Sequence, residues 1–188
     1  MPLRLRTTLL CACLLSLACL LPSTALAEEA TSATGGASAD DPRWAPTKRA
    51  KIVNGMAVPP KNAPPEVVEA IEAGNRIVKM PYRYGGGHQS FEDTGYDCSG
   101  SVSYALHGGG LLTSPLDSSA FMKWGEPGKG RWITVYTNPG HAFVMIAGLR
   151  LDTGFRSNQV RGTHPGRGPR WDKPRPTKGF AARHPAGL

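Results

Sequence analysis

Cys98 stands where a helix is expected to begin, in the stretch "GYDCSGSVSYALHGGG". A thiol is a good nucleophile in its thiolate form, and the free N–H groups and dipole at a helix start favour that form. Asp97 is a preferred N-cap residue, able to accept a hydrogen bond from the backbone of Ser99 or Gly100. The sequence therefore predicts a nucleophilic cysteine whose helix start also offers N–H donors to an oxyanion.

A nucleophilic cysteine needs a base, and His141 is the strongest of the five histidines for this role. It follows a Pro-Gly turn and opens the apolar run "HAFVMIAG", whereas His88 lies in a glycine-rich loop, His107 at a helix end and His184 near the C-terminus. A histidine that opens a buried strand can also be a rim residue without chemistry. Paired with Cys98, His141 is the predicted base.

Asp152 is the candidate for a third group that orients the imidazole. If "HAFVMIAGLRLDT" is a hairpin with a two-residue turn at Ala147 and Gly148, His141 and Asp152 are diagonal neighbours on one sheet face. A three-residue loop would place them on opposite faces. The alternative interpretation, that Asp152 only caps an exposed strand end, stays open.

The ends of the chain differ in composition from its middle. Residues 1–27 have the pattern of a secretory signal, and its removal leaves Cys98 as the only cysteine, so no internal disulfide is expected. Residues 28–64 are rich in small residues and proline, and are interpreted as a disordered leader or linker. We expect the catalytic domain at residues 65–155 and a basic, irregular tail at residues 156–188.

Helix and strand patterns fill the predicted catalytic domain. Apolar residues at helical spacing predict a helix between Pro65 and Pro81, with Gly74 weakening the pattern, and a second helix from Ser99 to His107. Three runs predict strands: "RWITVY", "HAFVMIAG" and "LRLDT".

With these residues in place, the stretch from Pro65 to Thr153 resembles the NlpC/p-sixty family of cell-wall cysteine peptidases. The resemblance rests on the combination of "PYRYGGG", "DCSG" opening a helix, "GLL" and "PGHAFVMIAG". It implies an α+β, papain-like fold with the cysteine helix packed on an antiparallel sheet. It also implies Cys98 as nucleophile and His141 as base. Typical substrates are peptide bonds of peptidoglycan stems, often next to D-glutamate and diaminopimelate.

The resemblance extends to an oxyanion and substrate-binding group. Tyr82, the first aromatic residue of "YRYGG", matches the family tyrosine that lies beside the oxyanion, while Tyr84 is interpreted as a packing residue. Ser99 is placed in the same group because its small side chain leaves room for a substrate carbonyl. In the family the third catalytic residue is usually histidine, whereas this chain offers Asp152. The loop before Cys98 is also longer than usual, which predicts a reshaped substrate groove.

The predicted function is a secreted cysteine hydrolase, acting in the periplasm or cell wall on amide bonds of peptidoglycan stem peptides. Two alternatives stay open: a non-catalytic cell-wall-binding module of the same fold, and an amidase or acyltransferase relative. We expect a monomer, without cofactor, whose partner is peptidoglycan or another bacterial cell-wall polymer. No metal site is predicted, because the cysteines and histidines lack ligand spacing.

The formal net charge of +8 is concentrated near the C-terminus. Residues 161–188 contain seven Lys or Arg and one acidic residue, Asp172. Together with Trp171 and Phe180, this tail has the composition of a polyanion contact. In an exported protein, anionic wall polymers or membrane surfaces are the expected partners and nucleic acid is not. A merely solvated tail is the alternative.

Overall fold

A six-stranded antiparallel sheet, in the order β3-β8-β4-β5-β6-β7, forms the centre of the chain. The computed structural model describes residues 49–154 and 168–188, and the predicted signal peptide, most of the leader and residues 155–167 lie outside this range. The strands of this sheet are β3 (Glu126–Pro127), β4 (Ile133–Asn138), β5 (His141–Ile146), β6 (Leu149–Asp152), β7 (Arg170–Asp172) and β8 (Ala181–His184).

Among the described residues, three helices accompany the sheet: α1 (Pro65–Ile77), α2 (Cys98–Gly108) and the short α3 (Ser118–Phe121). Helix α2 packs against α1 and against strand β5. Its apolar face is formed by Val102, Ala105 and Leu106, all fully buried. The predicted α+β arrangement, with the cysteine helix packed on an antiparallel sheet, is confirmed.

Helix α1 continues through Gly74, and the ring of Trp171 leaves room only for a glycine at this position. A Cβ at this position would lie 2.5 Å from Cζ2 of Trp171 and 3.2 Å from Cδ2 of Leu151. Next to it, Asn75 accepts a hydrogen bond of 2.9 Å from Nε1 of Trp171. The glycine that weakened the helical pattern thus lets strand β7 approach α1.

The β5–β6 hairpin has the two-residue turn that the sequence predicts. Ala147 and Gly148 both have positive φ, 47° and 81°, as a two-residue turn of this kind requires. The register pairs Met145 with Arg150 and Ile146 with Leu149. This register therefore places His141 and Asp152 on the same face of the sheet, near the ends of β5 and β6 that lie away from the turn.

The predicted disordered leader is wrong for residues 49–64. Strands β1 (Lys51–Val53) and β2 (Met56–Val58) form a hairpin there. The backbone N–H and C=O of Ala57 both bond to the side-chain amide of Asn75, at 2.8 and 2.9 Å, and the N–H of Ala50 donates to the carbonyl of Ala147. Hydrogen-bond partners far away in the sequence hold this segment in place. Its composition alone therefore did not reveal the hairpin.

The predicted irregular tail is also wrong for residues 168–188. Strand β8 lies inside the sheet, between β3 and β4, and strand β7 pairs with β6 at the sheet edge. Trp171 is only 6% exposed, so it belongs to the core and not to a polyanion contact. The domain boundary predicted at residue 155 therefore excluded two strands of the sheet.

Within residues 49–154 and 168–188, no helix combines the length and apolar character needed to cross a membrane.

The packing of Trp171 predicts that Trp171→Ala lowers the free energy of unfolding by about 3–5 kcal/mol, because a large buried side chain is removed. Urea denaturation followed by circular dichroism measures this loss. Lys173→Ala, an exposed position two residues away, is the control, with an expected change within about 0.5 kcal/mol. Equal stability of the two variants would show that β7 does not contribute to the core.

Candidate active site

The start of helix α2 presents Cys98 at its first residue. Asp97 is the N-cap, and its Oδ1 accepts a hydrogen bond of 2.9 Å from the N–H of Gly100, as predicted. Its other oxygen, Oδ2, accepts one of 3.0 Å from the N–H of Gly85 in the preceding loop. Cys98 is a free, half-buried cysteine. The thiol therefore lies at the positive end of the helix dipole, partly open to solvent.

His141 and Asp152 are joined by a hydrogen bond of 2.8 Å between Nε2 and Oδ1. The geometry that the two-residue turn predicts is thus present. The N–H of Gly154 donates to the same oxygen at 2.7 Å. A Cβ at residue 154 would lie 3.0 Å from Nε2 of His141, so a glycine there leaves room for the ring.

The carboxylate of Asp152 has no solvent exposure and is surrounded by donors. Its Oδ2 accepts from Arg150 at 2.8 Å and from Arg175 at 3.2 Å. Burial alone would raise the pKa of Asp152, but the hydrogen bond and charge of His141, the N–H of Gly154 and the charge of Arg150 lower it. Because Asp152 is ionised, Nε2 of His141 is the donor in their bond, and Nδ1 is the nitrogen that does not take part in it.

Asp152 and Cys98 both act on the pKa of His141. Burial would lower the pKa of His141, but hydrogen bonds to Asp152 and to Cys98, and the charges of both groups, raise it to about 9. An imidazole held between a carboxylate and a thiol is arranged to exchange a proton with the sulfur. The bond between His141 and Asp152, and the effect of Cys98 on the pKa of His141, leave the row of Cys98, His141 and Asp152 as the predicted catalytic set.

Tyr82 lies beside this row. Burial raises the pKa of its hydroxyl, and the charges of Cys98 and Asp97 raise it further. An isolated parallel bridge to Tyr96 holds the backbone of Tyr82 against the segment that leads into α2. This places Tyr82 near the sulfur, while its role at the oxyanion stays a prediction.

The small residues after the nucleophile are enclosed by the glycine-rich loop, and a role of Ser99 toward substrate stays a prediction. Ser99 is 2% exposed, and its hydroxyl bonds to Asp97 at 3.2 Å and to Nε2 of His88 at 3.0 Å. A Cβ at Gly100 would collide with the carbonyl oxygen of Gly86. Their small size lets the glycine-rich loop pack onto the helix start.

Tyr84 does not pack, contrary to the expectation, because it is 90% exposed.

Sequence reasoning missed three charged or polar neighbours of the site. His88 bonds to the N-cap carboxylate, with Nε2 3.0 Å from Oδ1 of Asp97. Strand alternation could have identified Arg150, because a residue two positions before Asp152 in the same strand lies on the same face of the sheet. No local pattern identifies Arg175, which comes from beyond residue 154.

In the part of the chain that the structure describes, no group of three or more histidine, cysteine, aspartate or glutamate side chains is arranged to hold a metal ion.

No model of a protein family matches the sequence, and no curated protein matches it significantly. Solved structures do show similarity. One is RipB of Mycobacterium tuberculosis, described as a peptidoglycan hydrolase, at 20% identity and a TM-score of 0.48, with 68% of each chain covered.

Two further structures carry NlpC/p60 in their descriptions. RipD of Mycobacterium tuberculosis, described as a non-catalytic NlpC/p60 domain protein adapted to peptidoglycan binding, is 18% identical, with a TM-score of 0.46 over 65% of this chain and 98% of RipD. An NlpC/p60 family protein from Bacillus cereus is 17% identical, with a TM-score of 0.46 over 66% of this chain and 41% of that protein.

The raised pKa of His141 predicts a pH-dependent stability. Because this pKa is about 9 in the folded chain against 6.5 ordinarily, the contribution of the imidazolium is fully present below about pH 6.5 and is lost as pH rises through about 9. We expect the unfolding free energy of the native chain, relative to His141→Gln, to fall by up to about 3 kcal/mol between pH 6 and pH 10. Urea denaturation at each pH measures this difference, and parallel curves for the two proteins would contradict the pairing.

Proposed function

We propose that this chain is a cysteine hydrolase that cleaves amide bonds in peptidoglycan stem peptides, with Cys98 as nucleophile and His141 as base and acid. The observation that carries the proposal is the 2.8 Å hydrogen bond from His141 to the buried carboxylate of Asp152, and the effect of Cys98 on the pKa of His141 supports it. A structural cysteine has no need of such a neighbour.

In the proposed reaction, Nδ1 of His141 holds the thiol proton in a thiolate–imidazolium pair, and the sulfur of Cys98 attacks the amide carbon. The carbonyl oxygen becomes an oxyanion, which the backbone N–H of Cys98 and the hydroxyl of Tyr82 stabilise. Each such donor typically contributes about 3–4 kcal/mol. As the C–N bond breaks, the imidazolium of His141 gives its proton to the leaving amine, and a thioester remains.

Water completes the cycle. His141 takes a proton from a water molecule while the oxygen of that water attacks the thioester carbon. The C–S bond then breaks, the sulfur keeps its electron pair, and the carboxylic acid leaves. Asp152 does not exchange a proton in this scheme. It accepts the Nε2 hydrogen bond throughout, so that Nδ1 stays directed at the sulfur.

Peptidoglycan is the proposed substrate class because of the motifs that this chain shares with cell-wall cysteine peptidases, "YRYGGG", "DCSG" and "PGHAFVMIAG". The signal-like pattern of residues 1–27 supports action outside the cytoplasm.

Incubation of the purified protein with purified sacculi, followed by mass spectrometry of the released fragments, tests the proposal. We expect soluble fragments whose new termini mark one type of stem-peptide bond. Cys98→Ser should release none while still binding sacculi, because a hydroxyl is a far weaker nucleophile in this position.

A second pair of variants tests the base. His141→Gln should abolish cleavage, whereas His107→Gln should retain it, since His107 lies at the opposite end of α2 and stacks on Phe91. Cleavage by Cys98→Ser would refute thiol catalysis. Binding of sacculi by the native protein without any cleavage would instead favour the non-catalytic cell-wall-binding module.

A further inference from the structure

The segment 168–188, which follows the predicted catalytic domain, reaches back to the row of Cys98, His141 and Asp152. Arg175 lies in the stretch between β7 and β8, and its Nη1 donates to Oδ2 of Asp152 at 3.2 Å. The side chain of Arg175 is 22% exposed, so this contact is largely shielded from solvent. A charge-assisted bond to a fully buried carboxylate is among the stronger hydrogen bonds in a protein.

The same segment acts on Asp152 a second time, through Arg150. Nη1 of Arg150 donates to Oδ2 of Asp152 at 2.8 Å, and its Nη2 donates to Asp172 of β7 at 2.9 Å. Asp172 thereby holds the guanidinium of Arg150, which in turn holds the carboxylate of Asp152. The hydrogen bonds from Arg150 and Arg175 both end on Oδ2 of Asp152, which leaves Oδ1 for His141.

Aromatic rings hold Arg175 in this position. Its guanidinium carbon lies 5.4 Å from the ring centre of Phe143 and 5.7 Å from that of Phe180. Phe180, from the same C-terminal segment, also meets the ring of His141 edge-on at 6.2 Å. The segment thus supplies a cation for the carboxylate and an apolar wall for the imidazole.

We infer that the C-terminal segment 168–188 is part of the active site, because Arg175 directly and Asp172 through Arg150 hold the Asp152 carboxylate in the orientation that accepts the ring proton of His141. Arg175 is a positioning residue in this account, since it acts through Asp152 and not on the substrate. The inference rests on the proposed function, but its consequence for the His141–Asp152 bond is measurable without any substrate.

Alkylation of Cys98 by iodoacetamide and proton NMR of the full-length protein test the inference together. Arg175→Gln should slow alkylation at neutral pH about tenfold, the effect of one charge-assisted hydrogen bond lost while Arg150 remains. It should also shift or broaden the downfield resonance of the Nε2 proton of His141. Arg175→Lys should recover only part of the rate, because lysine keeps the charge without the planar fork.

Arg183→Gln is the matched control from the same segment. Arg183 bonds to the backbone carbonyls of Trp124 and Gly125, so its loss should leave the alkylation rate and the Nε2 resonance unchanged. If Arg175→Gln does not fold, as judged by circular dichroism, Asp172→Asn replaces it and should slow alkylation by a smaller factor.

Two results separate the possible failures. A folded Arg175→Gln protein with the native rate and resonance would overturn the inference. A native protein whose Cys98 reacts no faster than that of His141→Gln would overturn the proposed function, and the Nε2 resonance would still report on the positioning by Arg175.

Discussion

The carboxylate of Asp152 is the group on which the rest of the site depends. It carries a negative charge without solvent exposure, and such a charge is strongly unfavourable unless it is paired and hydrogen-bonded. Four donors meet this requirement: His141, Gly154, Arg150 and Arg175. Their directions are fixed by two strands of the central sheet and by the C-terminal segment. The sheet register, the turn after β5 and the C-terminal segment all place donors around this one buried charge. Together they therefore determine how the imidazole of His141 is oriented.

The sulfur of Cys98 is positioned by a different element, the start of helix α2. Asp97 closes the first turn of this helix, and the glycine-rich loop packs so tightly onto it that Gly100 admits no side chain. Helix α2 then packs on β5, the strand that begins with His141. Residues of α2 and of β5 belong to one apolar core, which fixes the helix that starts at Cys98 relative to the strand that starts at His141.

Local signals predicted the parts of this arrangement that local physics determines. The N-cap at Asp97 and the two-residue turn at Ala147 and Gly148 each depend on a few adjacent residues, and both are confirmed. The contacts that failed prediction join residues far apart in the chain. Strand β8 inserts between β3 and β4, although its surroundings are rich in proline and arginine, and Arg175 reaches Asp152 across 23 residues. Composition describes such segments as irregular because it contains no information on distant hydrogen-bond partners.

The central claim is that His141 is held as an imidazolium between Cys98 and Asp152, and NMR titration of its ring nitrogens tests this most directly. The account predicts that the ring of the native protein keeps both protons until the pH approaches about 9, and that it loses one at lower pH in Cys98→Ala. A native His141 that loses its proton near the ordinary value of 6.5, with the same midpoint in Cys98→Ala, would contradict the claim.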